Sequence, residues 1–112
     1  MDSRVRTLLE DIKLRIESID VHLQGKRNFL IYEKNITMQR SVERELEIIG
    51  EAMKRLLELD PEIQITNPKG VVNFRNRISH GYDTIDDYIV WGIITRHLAP
   101  LKSEVESLLK QE

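Results

Sequence analysis

Residues 37–59 read TMQRSVERELEIIGEAMKRLLEL. Met38, Val42, Leu46, Ile49, Met53 and Leu56 recur at steps of three or four, which places them on one stripe of a long α-helix. Charged side chains fill the other positions, so this helix buries one side and wets the other. Gly50 interrupts it at mid-length, where glycine costs about 1 kcal/mol against alanine. A glycine kept there predicts a neighbouring helix that approaches closely. Glu47 and Glu51 flank it on one side; they read as a solvated face, or one of them reaches a basic residue near 75–80 and orients it.

Outward from this helix the same period repeats. Val5, Leu8, Leu9, Ile12, Ile16, Ile19 and Leu23 make one stripe over residues 4–24, with Asp2 or Ser3 as a cap and Gly25 as a stop. His22 falls in its last turn, where a cation suits the helix dipole. NFLIYEKN (28–35) predicts a single turn that tucks Phe29, Leu30 or Tyr32 onto the core. The long helix starts near Thr37 and stops before Pro61. Pro68 suits the first turn of a third, shorter helix, with Val71, Phe74 and Ile78 as its apolar face and Gly81 as its end. Asp83 or Thr84 opens the last helical region, where Thr84 and Asp87 have the spacing of a capping pair. Pro100 breaks or kinks it, and Leu101, Val105, Leu108 and Leu109 continue beyond. No strand-like alternation of useful length, internal repeat or low-complexity run is present. The pattern predicts one all-α domain over residues 1–112, an antiparallel bundle of four to five helices. Ile85, Tyr88, Ile89, Trp91, Ile93 and Ile94 are more apolar than one buried stripe needs, which predicts a homodimer through this region.

Composition narrows the function. The chain has no cysteine, so disulfides, thiolate metal sites and thiol catalysis are excluded. The amino-terminal MDSRVRTLLEDIK carries charges through its apolar positions, which predicts a soluble cytoplasmic protein with no membrane partner. A net charge of −2 argues against a general duplex-DNA binder. Against that acidic background, no Asp or Glu occurs between Glu62 and Asp83, whereas Lys69, Arg75, Arg77 and His80 do.

That window, PKGVVNFRNRISHGY (68–82), is the candidate site. Arginine offers a fork of donors that suits phosphate, and histidine both takes and gives a proton near neutral pH. Asn76 and His80 are four apart and share a helix face; Arg75, five before His80, sits about 140° round the helix from it. Cleavage of RNA asks for these parts: a 2′-hydroxyl loses its proton, a 5′-oxygen gains one, and the phosphorane charge needs cationic donors. No metal or cofactor is required when the ribose hydroxyl is the nucleophile. One arginine and one histidine are few, and a two-fold dimer would double them. On residue types and spacing alone a plainer reading stays open: solvated Arg75 and Arg77, His80 capping a helix end, Tyr82 at the rim of the core.

RNRISHGY (75–82) resembles the Arg-x-x-x-x-His-x-Tyr signature of HEPN-domain proteins, specifically the HepT-like family. RELEIIGEAMKRL (44–56) resembles that family's second-helix signature, usually written with Asn where Glu45 stands. The Tyr-Asp-x-Ile-Asp link (82–86) and IVWGIITRHLAPLKSEVE (89–106) also resemble its pattern. The chain departs from it at Pro68-Lys69, where the family often has Pro-Trp, and this leaves the docking of the third helix open. The resemblance implies a dimeric helical bundle and a metal-independent endoribonuclease, the toxin of a toxin–antitoxin pair. Its implied antitoxin is a minimal nucleotidyltransferase (MNT). Arg75 would hold the scissile phosphate, His80 would be the acid/base, and Asn76 would orient His80 or the phosphate, with Arg77 in support. Tyr82 matches the tyrosine that the partner can modify with AMP. The competing class is a non-nucleolytic module that binds a nucleotide or docks a nucleotidyltransferase, which the weak overall charge would suit.

Overall fold

The computed structural model describes residues 1–78 and 86–111, and for Arg75 and Ile78 the backbone alone. Among the described residues the chain forms seven helical segments and no strand: α1 (Ser3–His22), α2 (Phe29–Glu33), α3 (Ile36–Leu59), α4 (Pro68–Val72), α5 (Phe74–Ile78), α6 (Asp87–Arg96) and α7 (Leu98–Leu109). The all-α expectation holds. The molecule measures 43 × 30 × 19 Å, and its thinnest dimension is about two helix diameters. It is therefore a two-layer bundle.

The predicted stripes are the core. Leu9, Ile12 and Ile19 of α1 and Val42, Leu46, Ile49, Met53 and Leu56 of α3 are fully buried. Each such side chain contributes roughly 1.5–3 kcal/mol relative to exposure. The start of α1 (Ser3, Arg4, Thr7) shares a cleft with the end of α3 (Arg55, Glu58, Leu59), so the two run antiparallel. Helix α7 also runs against α1, as the ion pairs Lys13–Glu106 (3.5 Å) and Lys102–Glu17 (3.4 Å) show. Among the described residues no helix is long and apolar enough to cross a membrane.

Local chemistry sets the ends. The Asp2 carboxylate accepts from the Arg4 N–H at 2.7 Å, and Gln24 and Gly25 take positive φ to turn the chain after α1. Helix α3 begins one residue earlier than expected because Asn35, accepting from the Met38 N–H at 3.0 Å, is its cap. Tyr32 is the residue of α2 that reaches the core, while Leu30 points outward. Phe29 stacks on Tyr88 at 4.7 Å and meets Trp91 edge-on at 5.7 Å, so α2 clamps α6.

The third helix differs from expectation: it is two five-residue segments divided at Asn73. Asn67 caps α4 from a left-handed backbone (φ 49°), a conformation asparagine tolerates better than most residues. Its side chain covers Gly70 so closely that a Cβ there would lie 2.3 Å from Asn67 Nδ2. Gly50 does admit a neighbour. A Cβ on it would sit 3.2 Å from the Val72 carbonyl oxygen and 3.4 Å from that of Val71. Backbone on glycine, with Val71 buried, is how α4 docks without the aromatic residue.

Helix α6 begins at Asp87 with Asp86 as its cap, accepting from the Tyr88 N–H at 2.9 Å. Thr84, the other half of the expected capping pair, lies outside the described residues, and so does Asp83. The break before Pro100 falls at His97, and the proline occupies the first turn of α7. Of the apolar residues in 85–94, Val90, Ile93 and Ile94 enter the chain's own core; Tyr88 stays 71% exposed.

Candidate active site

Phe74, 2% exposed, is the anchor of the site. As the first residue of α5 it meets the His97 ring at 6.4 Å, which fixes the start of the segment that carries the motif. Arg75, Asn76 and Arg77 follow it on one helical turn. The Arg77 N–H donates to the Asn73 carbonyl at 3.0 Å, and the Asn76 amide is within 3.4 Å of the Asn73 side-chain oxygen. Asn76 and Arg77 are both exposed. His80 and Tyr82 lie outside the described residues, as does the Arg75 side chain.

What α5 does bring together is a basic cleft that spacing could not reveal. Between α4–α5 and the α6–α7 junction lies a cavity of about 250 Å³, walled by Phe74, Arg77, Arg96, His97 and Glu104 among others. Arg96 ends α6, and His97 stands between α6 and α7. Glu104 is the acid of this cleft, and it is engaged. It accepts from the Thr66 hydroxyl at 2.7 Å and from the Thr66 N–H at 3.1 Å. Among the described residues neither Arg77 nor Arg96 makes an ion pair. Arg96 and His97 lie well beyond Tyr82 along the chain, so only the turn of the chain at His97 sets them beside the motif.

The buried charges of α3 were also not foreseen as such. Glu45, 6% exposed, takes Arg15 Nη1 at 3.3 Å and His22 Nε2 at 3.0 Å. A carboxylate at this position is thus matched by two basic groups from α1, and His22 has a structural partner. Glu43 is buried against Arg40 at 2.8 Å. Burial pushes its carboxyl above the usual range, partly offset by Arg40. The Tyr32 hydroxyl is buried with no hydrogen-bond partner among the described residues. Burial, then the charges of Glu43 and Asp87, raise its pKa. Glu47 pairs with Arg44 at 3.7 Å, in keeping with a solvated face. No group of three or more His, Asp or Glu among the described residues could hold a metal ion.

A family model described as "Ribonuclease HepT-like" matches residues 12–108. A relative from Caldanaerobacter subterraneus subsp. tengcongensis, named "Putative RNase", is 30% identical over 108 residues, 96% of each chain. A second of the same description, from Methanocaldococcus jannaschii, is 31% identical over 108 residues, covering 95% of this chain and 88% of its own. No solved structure matches.

Proposed function

The chain belongs to the HepT-like ribonuclease family, and on that footing we propose that it is a metal-independent endoribonuclease, the toxin of a toxin–antitoxin pair. The observation that carries this reading is the family match over residues 12–108, which spans the whole Arg75–Tyr82 motif and the helices that hold it.

In this reading two copies meet so that their motifs face one another, and RNA lies between them. His80 removes the proton of a ribose 2′-hydroxyl, whose oxygen attacks the adjacent phosphorus. Arg75 neutralises the charge that accumulates on the phosphorane oxygens. The P–O5′ bond breaks, the 5′-oxygen takes up a proton from the second histidine, and a 2′,3′-cyclic phosphate remains. Asn76 keeps the His80 ring or the phosphate in register. The antitoxin is an MNT-type nucleotidyltransferase. It transfers AMP from ATP to the Tyr82 hydroxyl with release of pyrophosphate. The added nucleotide sets a bulky anion beside Arg75 and His80, which excludes RNA by size and by charge.

The test is cleavage of total cellular RNA in excess EDTA by protein whose intact mass shows no AMP. Cutting by the wild type, with cyclic-phosphate ends, and at least a hundredfold loss in His80→Ala and Arg75→Ala, is the expected result. An unmodified dimer that leaves RNA intact overturns it and favours the nucleotide-binding or nucleotidyltransferase-docking module.

A further inference from the structure

We propose that the cleft between α5 and the α6–α7 junction is a second phosphate subsite, which holds an RNA phosphodiester next to the one being cut. The inference rests on the ribonuclease reading and extends it to residues outside the motif.

Three observations converge on this cleft. Arg77 and Arg96 both line it, and neither is neutralised by a carboxylate among the described residues. Arginine in that state offers the bidentate donors that phosphate oxygens accept. The acid of the cleft, Glu104, accepts from the Thr66 hydroxyl and N–H and forms no ion pair with either arginine. His97 adds a ring donor, steadied against Phe74. It stands at the start of α7, which carries no side-chain cap.

Size separates the possible ligands. At about 250 Å³, the cleft is smaller than the roughly 300–1,000 Å³ of pockets that enclose a whole small molecule. It has room for a phosphate group and water, not for an engulfed mononucleotide. A strand running past, with one phosphate dipped into the cleft, fits that volume. Position gives the register. Arg77 is two residues beyond Arg75 on α5, and residues two apart lie on different faces of a helix, so the cleft serves a phosphate that flanks the scissile one as the strand crosses α5. Phosphate contacts of this kind position a strand without reading its bases.

The experiment measures binding of a 5′-fluorescein RNA of about twelve nucleotides by anisotropy between 50 and 200 mM salt. His80→Ala protein is used to prevent cutting. On that background Arg96→Gln and Arg77→Gln should each weaken binding about three- to tenfold. Each should also make the salt dependence shallower by about 0.7 in the log–log slope, the loss of one phosphate contact on a single strand. Lys26→Gln, an exposed charge loss in the α1–α2 turn, should change neither. AMP and inorganic phosphate are titrated in parallel. Arg96→Gln binding RNA like Lys26→Gln overturns the subsite, even when the wild type cuts RNA. Arg96-dependent binding of AMP with Arg96-independent binding of RNA overturns it as well, in favour of a mononucleotide site. Arg96-dependent RNA binding by a wild type that never cuts supports the subsite and removes the ribonuclease reading alone. Failure of His80→Ala and wild type alike to bind RNA overturns both. Arg96 is exposed at the end of α6, and a thermal melt of the variant verifies that it folds.

Discussion

The most unusual residue-scale feature is Glu43, a carboxylate 4% exposed inside α3. Burial raises its pKa, the Arg40 guanidinium only partly opposes this, and Asp87, raised chiefly by its own burial, adds repulsion. The folded state therefore binds protons more readily than the unfolded chain. For a pKa raised on folding, the favourable contribution is complete below the ordinary glutamate value and is lost as pH rises through the folded one. Glutamine mimics the protonated form. Glu43→Gln should therefore raise the urea midpoint at pH 7, with the gain shrinking toward pH 4. An equal effect at both pH values would remove the role given to burial. The sequence placed Glu43 on a helix whose stripe was clear, but nothing in its neighbours along the chain announced that Tyr32 of α2 and Asp87 of α6 would come near it.

At the scale of elements, α4 leads into α5 and is itself held by backbone lying on Gly50. Alanine at this position gains about 1 kcal/mol in helix propensity. Its Cβ, however, would press on the Val71 and Val72 carbonyls at 3.4 and 3.2 Å, and backbone of a docked turn yields poorly. Overpacking costs typically about 1–3 kcal/mol, so Gly50→Ala should destabilise by about 1 kcal/mol net. It should also lower RNA cleavage disproportionately, because the displaced α4 leads directly into α5, which carries Arg75. Denaturation and activity measured on one preparation check this; a stabilised, fully active variant would show that α4 moves without consequence. The glycine's purpose was legible in the sequence as a demand for close approach. The identity of the approaching element was not, and neither was the division of the third helix at Asn73, since turn chemistry there depends on the Asn67–Gly70 cap and on Phe74 finding a pocket.

At the scale of the molecule, the apolar surplus of 85–94 is divided between two uses. Val90, Ile93 and Ile94 fill the core, and Tyr88, stacked on Phe29, faces outward with Leu30 of α2 also exposed. A two-fold contact through this surface would bring the second histidine that cleavage calls for. Light scattering at micromolar concentration should give twice the 13.2 kDa chain mass. Tyr88→Lys should shift the protein toward monomer and reduce cleavage in parallel. A wild-type monomer that still cuts RNA would sink the shared-site arrangement.

The helical class, the two long stripes and most helix ends were determined by the sequence itself, because apolar period, caps and proline act within a turn or two of the chain. The motif from Arg75 to Tyr82 was likewise readable as residues in order, and its resemblance carried the family. Only the tertiary structure decided that Glu45 would meet Arg15 and His22, and that Arg77 would share a cleft with Arg96 and His97. Those pairings depend on which faces of distant helices are pressed together, and burial and electrostatics act there across space rather than along the chain.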